Sequence, residues 1–282
     1  MINHSNISFI ITTFKSENII EKLLSNLPKD SEKIICENSE NFFLKKKLES
    51  TFSNLKCFVN KNIGYGAANN IGFKNAKNEY IFILNPDVNL NIEKLNEILE
   101  ILEKEKDFAV AAPYETSEFE KYKNSEIIVK RDEVKGFAMI INRKTLDELY
   151  FDENIFLYLE EIDFCKRVKK LGKKIINIKV FLDHSGGGSH GNFNEEMELS
   201  RNWHWMWSQF YYSKKYKGYF LSFIIFIPQL ILNFLKYFLS FSNFKKKKNK
   251  FRFLGLLNSI LLNKSFHRPN QNKIKRRDGR VV

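Results

Sequence analysis

Cysteine is scarce. The three residues, Cys36, Cys57 and Cys165, are odd in number and far apart in a chain of 282. They exclude a disulfide framework and a CxxC metal knuckle, and they fit a reducing compartment. Proline (5) and glycine (12) are also few, while hydrophobic residues make up 43%. Fibrous and wholly disordered classes are excluded, and the length suits one large domain or a domain with an appendage. The N-terminal stretch lacks a basic segment leading into a long apolar run, so no secretory signal is expected and the body is expected in the cytoplasm. Acid is nearly absent from residues 201–282, which hold Asp278 alone against 18 Lys+Arg. Residues 1–200 hold 28 Lys+Arg against 32 Asp+Glu, so the formal +13 is a tail of +17 on a body of −4. A basic whole chain would suggest a nucleic-acid binder; a mildly acidic body with a basic tail weakens that reading.

What is present in the first 112 residues is an alternation of short apolar runs with helical patterns. Strands are expected over 7–13, 33–37, 55–59, 80–84 and 108–112, with helices over 18–27, 42–52, 67–76 and 92–103. Such alternation means an α/β fold, a mostly parallel sheet with helices on both faces. Ligands on such sheets bind beyond the carboxyl ends of the strands, where Thr13, Glu37, the stretch 60–66 and Asn85-Pro86-Asp87 all fall. The alternation then breaks. A polar loop is expected over 115–123, a strand over 134–142 and a short helix over 143–149. An amphipathic helix is expected over 160–171, with Phe164, Val168 and Leu171 on one face, and a strand over 174–181.

Three features carry chemistry. Asp87 ends a strand on a proline-stiffened turn, where a carboxylate can reach a divalent cation; the residues alone leave open a plain turn and helix cap. Glu160, Glu161 and Asp163 crowd a helix start. They complement the helix dipole, and beside the apolar run 156–159 one of them can have a raised pKa and act as a general base. His184 opens a glycine-rich loop that runs to His190 and is a candidate metal or phosphate contact; a zinc site on these two histidines lacks partners at convincing spacing. Gly64-Tyr65-Gly66-Ala67-Ala68-Asn69 is no dinucleotide fingerprint, because it follows the third strand and lacks the last glycine.

In order and spacing, these segments resemble the family 2 glycosyltransferases of GT-A fold, in particular the rhamnosyltransferase-like branch that builds bacterial surface polysaccharides. The matching pieces are Ile10-Ile11-Thr12-Thr13-Phe14, Cys36-Glu37-Asn38-Ser39, the stretch 60–72, Leu84-Asn85-Pro86-Asp87 in place of a DxD motif, Gly136-Phe137-Ala138-Met139, the segment 151–167 and His184. The resemblance implies inverting transfer of a sugar from a nucleotide-diphosphate donor. Asp87 and His184 would hold a divalent metal, Mg2+ or Mn2+, with Asn85 assisting from the turn. Thr13, Phe14 and Glu37 would border the base and ribose, and Asn62, Gly64 and Asn70 the donor pocket. Glu161 would be the base that deprotonates the acceptor, with Glu160 beside it and Asp163 available to share the role. Glu37 and Glu161 stand where the family usually has Asp. One extra methylene displaces a carboxylate by about an ångström, a scale of misplacement that costs roughly 10²-fold in rate. Those two exchanges are the ground for a second reading, an inactive homologue acting as a membrane scaffold.

The expected organisation is a catalytic domain over 1–200 and a helical segment over 201–282. Residues 219–241 are mainly Phe, Ile and Leu, long enough for a bilayer span of about 20 residues. Basic residues flank both ends, which favours a segment that dips in and returns near Pro228, or that lies in the interface. The alternative is a buried helix pair. The expected setting is therefore the cytoplasmic face of a bacterial inner membrane, with an anionic membrane surface and a lipid-linked or polysaccharide acceptor as partners. Nucleic acid is not expected as a partner, because the tail's aromatics join an apolar block instead of interleaving with its basic residues.

Overall fold

A computed structural model describes residues 2–146, 148–185 and 195–265. They form two compact units, residues 2–152 with 160–185, and residues 153–159 with 195–265.

In the first unit the chain runs β1 (Ile7–Thr13), α1 (Glu17–Asn26), β2 (Glu32–Glu37), α2 (Phe42–Thr51), β3 (Leu55–Val59), α3 (Tyr65–Asn75), β4 (Tyr80–Leu84), β5 (Val88–Asn89), α4 (Ile92–Lys104), β6 (Val110–Glu115), α5 (Phe119–Tyr122), β7 (Ile128–Lys130), β8 (Ala138–Asn142), α6 (Glu160–Lys170) and β9 (Ile175–His184). The apolar runs are strands because they are buried on both faces: all seven residues of β1 and all five of β4 are buried. Asparagines start two of the helices. Asn41 accepts from the Leu44 amide at 2.8 Å and Asn91 from the Lys94 amide at 2.8 Å.

The sheet order is β3-β2-β1-β4-β8-β6-β9-β5, with β7 also on β9. The first four strands are parallel, as the alternation implies. Beyond β4 the pairing is mixed: β8 is antiparallel to β4 and β6, and β9 is parallel to β6. Alternate residues feed two core layers. Ile7, Phe9 and Ile11 of β1 pack with α1, α2 and α4, while Ile10 packs with α3 and α6.

Several expectations change. The polar stretch after residue 115 holds a 3-10 turn (Thr116–Glu118) and α5, not a loop. The strand expected over 134–142 is confined to β8, and β7 was not expected. The helix expected over 143–149 is a single 3-10 turn, Arg143–Thr145. β9 runs on to His184, so that histidine ends a strand. Leu171 is 56% exposed: α6 stops at Lys170 and the chain turns through Gly172 (φ +70), which takes Leu171 off the buried seam.

The second unit is three helices, α7 (Glu195–Lys217), α8 (Tyr219–Leu239) and α9 (Asn243–Ile260). Gly218, at φ +83, turns α7 into α8. Ser213 meets Ser222 at 2.8 Å, so α8 runs back along α7. Tyr219 donates to the Ile260 carbonyl and Asn249 to the Lys236 carbonyl, so α9 runs back along α8. α7 and α9 lie very close, because a Cβ on Gly255 would stand 2.2 Å from the Trp203 carbonyl oxygen. The chain does not turn at Pro228. α8 continues through it, and the reversal comes at residues 240–242.

Candidate active site

The carboxyl ends of β1, β2, β3, β4, β6 and β9 lie along one edge of the sheet, and β8 begins at the same edge because it is antiparallel. Most of the expected site residues collect there, in three groups.

The first is Thr13 with Glu37. Both are fully buried. The Thr13 hydroxyl donates to Glu37 Oε2 at 2.6 Å, and the Ser39 amide donates to Glu37 Oε1 at 2.5 Å, with the Ser39 hydroxyl on the same oxygen. The longer side chain thus reaches its own turn, and protein donors occupy both oxygens. Phe14 follows at the strand end and is half-buried, as is Asn62 beyond β3. Gly64, at φ +97, lets the chain enter α3. Asn70, expected at the donor pocket, is buried: it donates to the Phe151 carbonyl at 2.9 Å and accepts from the Phe151 amide at 2.8 Å, fastening α3 to the segment before α6.

The second group surrounds Asp87. The short strand β5 pairs Val88 with His184, which brings Asp87 Oδ1 to 3.3 Å from His184 Nε2. Asn85 Nδ2 lies 3.2 Å from the same nitrogen. The other ring nitrogen, Nδ1, is 2.8 Å from Glu115 Oε1, and Lys135 holds the second Glu115 oxygen at 2.7 Å. Phe137 stacks on the imidazole at 5.0 Å. Burial disfavours the imidazolium, but hydrogen bonds to Asp87 and Glu115 outweigh it and raise the His184 pKa. Burial acts against Glu115 too, and its bonds to Lys135 and His184 win, lowering its pKa.

Two neighbouring ligands of an octahedral ion bound at 2.0–2.1 Å stand about 3 Å apart, so the Asp87–His184 spacing fits a divalent cation held by two protein ligands and substrate oxygens. Among the described residues no group of three or more His, Cys, Asp or Glu could hold an ion by itself. Glu115 lies on the far ring nitrogen, where it orients the imidazole.

The third group is the acid pair. The chain enters α6 through Tyr158 and Leu159, both left-handed at φ +69 and +70, a conformation that costs about 1–2 kcal/mol per residue. Glu160 is 5% exposed, and its Oε2 has no hydrogen-bond partner among the described residues. Burial, and then the charge of Glu161, push its pKa well up. Burial also raises Glu161. Gly66 and Gly136 make room for the pair: a Cβ on Gly66 would stand 3.5 Å from Glu160 Cβ, and one on Gly136 would stand 3.2 Å from Glu161 Cβ. Asp163 is not beside them as an open acid. It is fully buried and bonded to Arg167 at 2.8 Å.

Tyr65 was not among the expected residues, yet it ties the groups together. Its hydroxyl is 2.9 Å from Asn85 Oδ1 and 3.2 Å from the Gly136 carbonyl, and burial with the Glu160 charge raises its pKa. Its position between two glycines, Gly64 and Gly66, is the one signal the sequence offered. Glu115 and Lys135 carried no such signal. His190 lies outside the described residues.

The family model for glycosyl transferase family 2 matches residues 8–165. The chain is 24% identical over 234 residues to the rhamnosyltransferase WbbL of Escherichia coli K12, covering 69% of this chain and 88% of the relative. It is 23% identical over 193 residues to Agl10 of Haloferax volcanii, a low-salt glycan biosynthesis hexosyltransferase, covering 58% and 62%. Among solved structures, the mannosyltransferase PcManGT of Pyrobaculum calidifontis, in complex with GDP-Man and Mn2+, superposes with a TM-score of 0.59 at 12% identity over 90% of this chain and 87% of that one. S. aureus TarS 1-349 in complex with UDP-GlcNAc gives 0.52 at 18% identity over 70% and 64%. The structural likenesses are of fold. The chain spans less than two thirds of the length of Agl10 and of TarS 1-349.

Proposed function

The chain belongs to the family 2 glycosyltransferases, and from this we propose that it is an inverting enzyme that moves a sugar from a nucleotide-diphosphate donor to a lipid-linked or polysaccharide acceptor. The observation that carries the proposal is the edge itself: the Asp87–His184 pair and the Glu160–Glu161 pair open on the same end of the sheet, linked through Asn85, Tyr65 and Gly136. Asp87 and His184 would hold Mg2+ or Mn2+, which when bound offsets the charge of the leaving diphosphate. Thr13, Phe14, Glu37, Asn62 and Gly64 border the donor's nucleoside end. Glu161 takes the proton from the acceptor hydroxyl as its oxygen bonds to the anomeric carbon; the bond from that carbon to the diphosphate oxygen breaks, and the configuration inverts. Its raised pKa gives the carboxylate the basicity for that transfer.

Rhamnose is the sugar favoured by the similarity to WbbL, with hexoses next by the similarity to Agl10. The similarity to Agl10, a glycan biosynthesis enzyme, supports a role in glycan assembly. The experiment is a thermal-shift screen against nucleotide-sugars with Mn2+ or Mg2+, followed by assay of donor hydrolysis. We expect stabilisation by one nucleotide-sugar only with metal, and its turnover. Metal-dependent binding without any turnover would favour the second reading, an inactive scaffold, for which the Glu37 and Glu161 exchanges are the ground. No binding at all would end the enzyme reading, and metal-dependent turnover would end the scaffold reading.

A further inference from the structure

The helix α8 turns an apolar face outward. Its inner face, against α7 and α9, is mixed: Phe223, Phe226 and Leu230 pack against Met206, Phe210, Leu256 and Ile260, and Ser222, Gln229 and Asn233 lie among them, with Ser222 and Asn233 fully buried. Ser222 bonds Ser213 across to α7, while the Asn233 amide nitrogen, also buried, has no hydrogen-bond partner among the described residues. The outer face, half a turn away, carries Phe220, Ile224, Ile231, Leu235, Phe238 and Leu239, exposed by 48% to 76%. A helix at a water surface carries polar residues on its outer face. Only 11% of the most apolar window of α8 is buried, at a mean hydropathy of 1.7. The exposed apolar side chains add up to an area on the order of 1,000 Å², against about 300–600 Å² for the largest patch on a typical soluble monomer.

We infer that this outer face is seated in the interfacial layer of an anionic membrane, with α8 lying in the plane of the leaflet. The charge around the patch selects the occupant. At one end of α8 stand Lys215 and Lys217; at the other, across the reversal at residues 240–242, α9 presents Lys245, Lys246 and Lys250, all exposed. Basic groups at both ends of an apolar strip match phosphate headgroups. A second copy of the chain docked face to face would set basic ends against basic ends. The packing also decides against crossing. α7 and α9 lie along α8 and carry the ion pairs Glu195–Lys247 and Glu198–Lys248, at 2.7 and 3.4 Å. A crossing α8 would draw these charged helices into hydrocarbon. The inference holds whether or not the proposed sugar chemistry does.

The test uses the purified full chain with vesicles of phosphatidylcholine, with and without phosphatidylglycerol. We expect binding to the anionic vesicles that high salt weakens without abolishing and that alkaline carbonate reverses. Ile224→Glu with Leu235→Glu should weaken it by at least about tenfold, and Lys245→Ala or Lys250→Ala by roughly fivefold each. Hydrogen exchange of the wild-type chain, which needs no variant to fold, should slow in α8 and α9 when anionic vesicles are added. Complete release by salt, unaltered binding of the double glutamate variant, or no change in exchange would overturn the inference. So would a stable dimer that ignores vesicles, and resistance to carbonate would overturn the in-plane placement. Donor binding measured in vesicle-free buffer reads the transferase proposal separately.

Discussion

Gly136→Ala separates stability from catalysis at a single methyl group. The backbone at Gly136 is not left-handed, so alanine fits it, and losing glycine's freedom in the unfolded chain should stabilise the fold by about 0.4–1 kcal/mol. The added Cβ, however, would stand 3.2 Å from both Cβ and Cγ of Glu161 and 3.6 Å from its carboxyl carbon. Carbon atoms settle at about 3.5–4.0 Å, so the Glu161 stem must retreat by roughly 0.3–0.8 Å. If Glu161 is the base, its carboxylate moves with the stem. A misplacement of about 1 Å costs about 10²-fold, so a shift of this size predicts a fall in kcat of roughly 4- to 40-fold, about 1–2 kcal/mol in the barrier. The assay is steady-state transfer over a range of donor concentration, beside a thermal melt. The expected pattern is a melting temperature at or above wild type, a donor KM within about twofold, and the loss confined to kcat. A folded variant with wild-type kcat, or one whose donor KM rises while kcat holds, would refute the assignment of Glu161 to the reacting atoms.

Three other perturbations test the surrounding geometry. Burial and the Glu161 charge raise the Glu160 pKa, so the folded state holds that proton more tightly than the unfolded chain; its contribution is present at acid pH and is lost as pH rises through the raised value. Glu160→Gln should therefore stabilise the first unit at neutral and alkaline pH by about 1–3 kcal/mol, a gain of roughly 2–4 °C per kcal/mol for a domain of this size, and the gain should vanish in acid; melting curves across pH check it, and a destabilised variant at alkaline pH would contradict it. Glu115→Gln keeps the size of the side chain but removes the charge facing His184 Nδ1, and Mn2+ affinity read by calorimetry should fall by about 10- to 100-fold. Gly255→Ala would press a methyl group into the Trp203 carbonyl, so it should destabilise the three-helix unit by about 1–3 kcal/mol in denaturant titration.

The parallel half of the sheet was legible because its signals are local. A run such as residues 80–84, buried on both faces, is continuous in the sequence, and so is the spacing of Leu95, Ile98, Leu99 and Leu102 along α4. The second half was less so, since β8 slots between β4 and β6, a pairing that only the assembled sheet reveals. The same distinction runs through the site. Asp87 and the acid pair announce themselves by residue type at an element's end. Glu115 does not: it sits in a polar stretch that reads as loop, and it meets His184 across 69 positions of chain. Glu37 shows the converse. Its place at the end of β2 was visible, but only the structure shows its longer side chain reaching Thr13 and Ser39 with both oxygens.

Composition told that α8 is apolar, and hydropathy alone would have it cross a bilayer or hide in a core. The structure turns on which apolar side is covered. α7 and α9 cover Phe223, Phe226 and Leu230 together with Ser222 and Asn233, while Phe220, Ile231 and Phe238 stay outside, so α8 keeps an uncovered apolar face. Each Lys or Arg carried to mid-bilayer costs about 2.5–3.5 kcal/mol, and α9 brings several beside it within six consecutive residues, 245–250. A leaflet surface offers α8 the apolar contact without that cost, and it keeps the basic residues at headgroup level. On the inferred in-plane seat, the basic residues around α8 and its exposed apolar strip have one cause, since both would follow from a helix that meets lipid along its side.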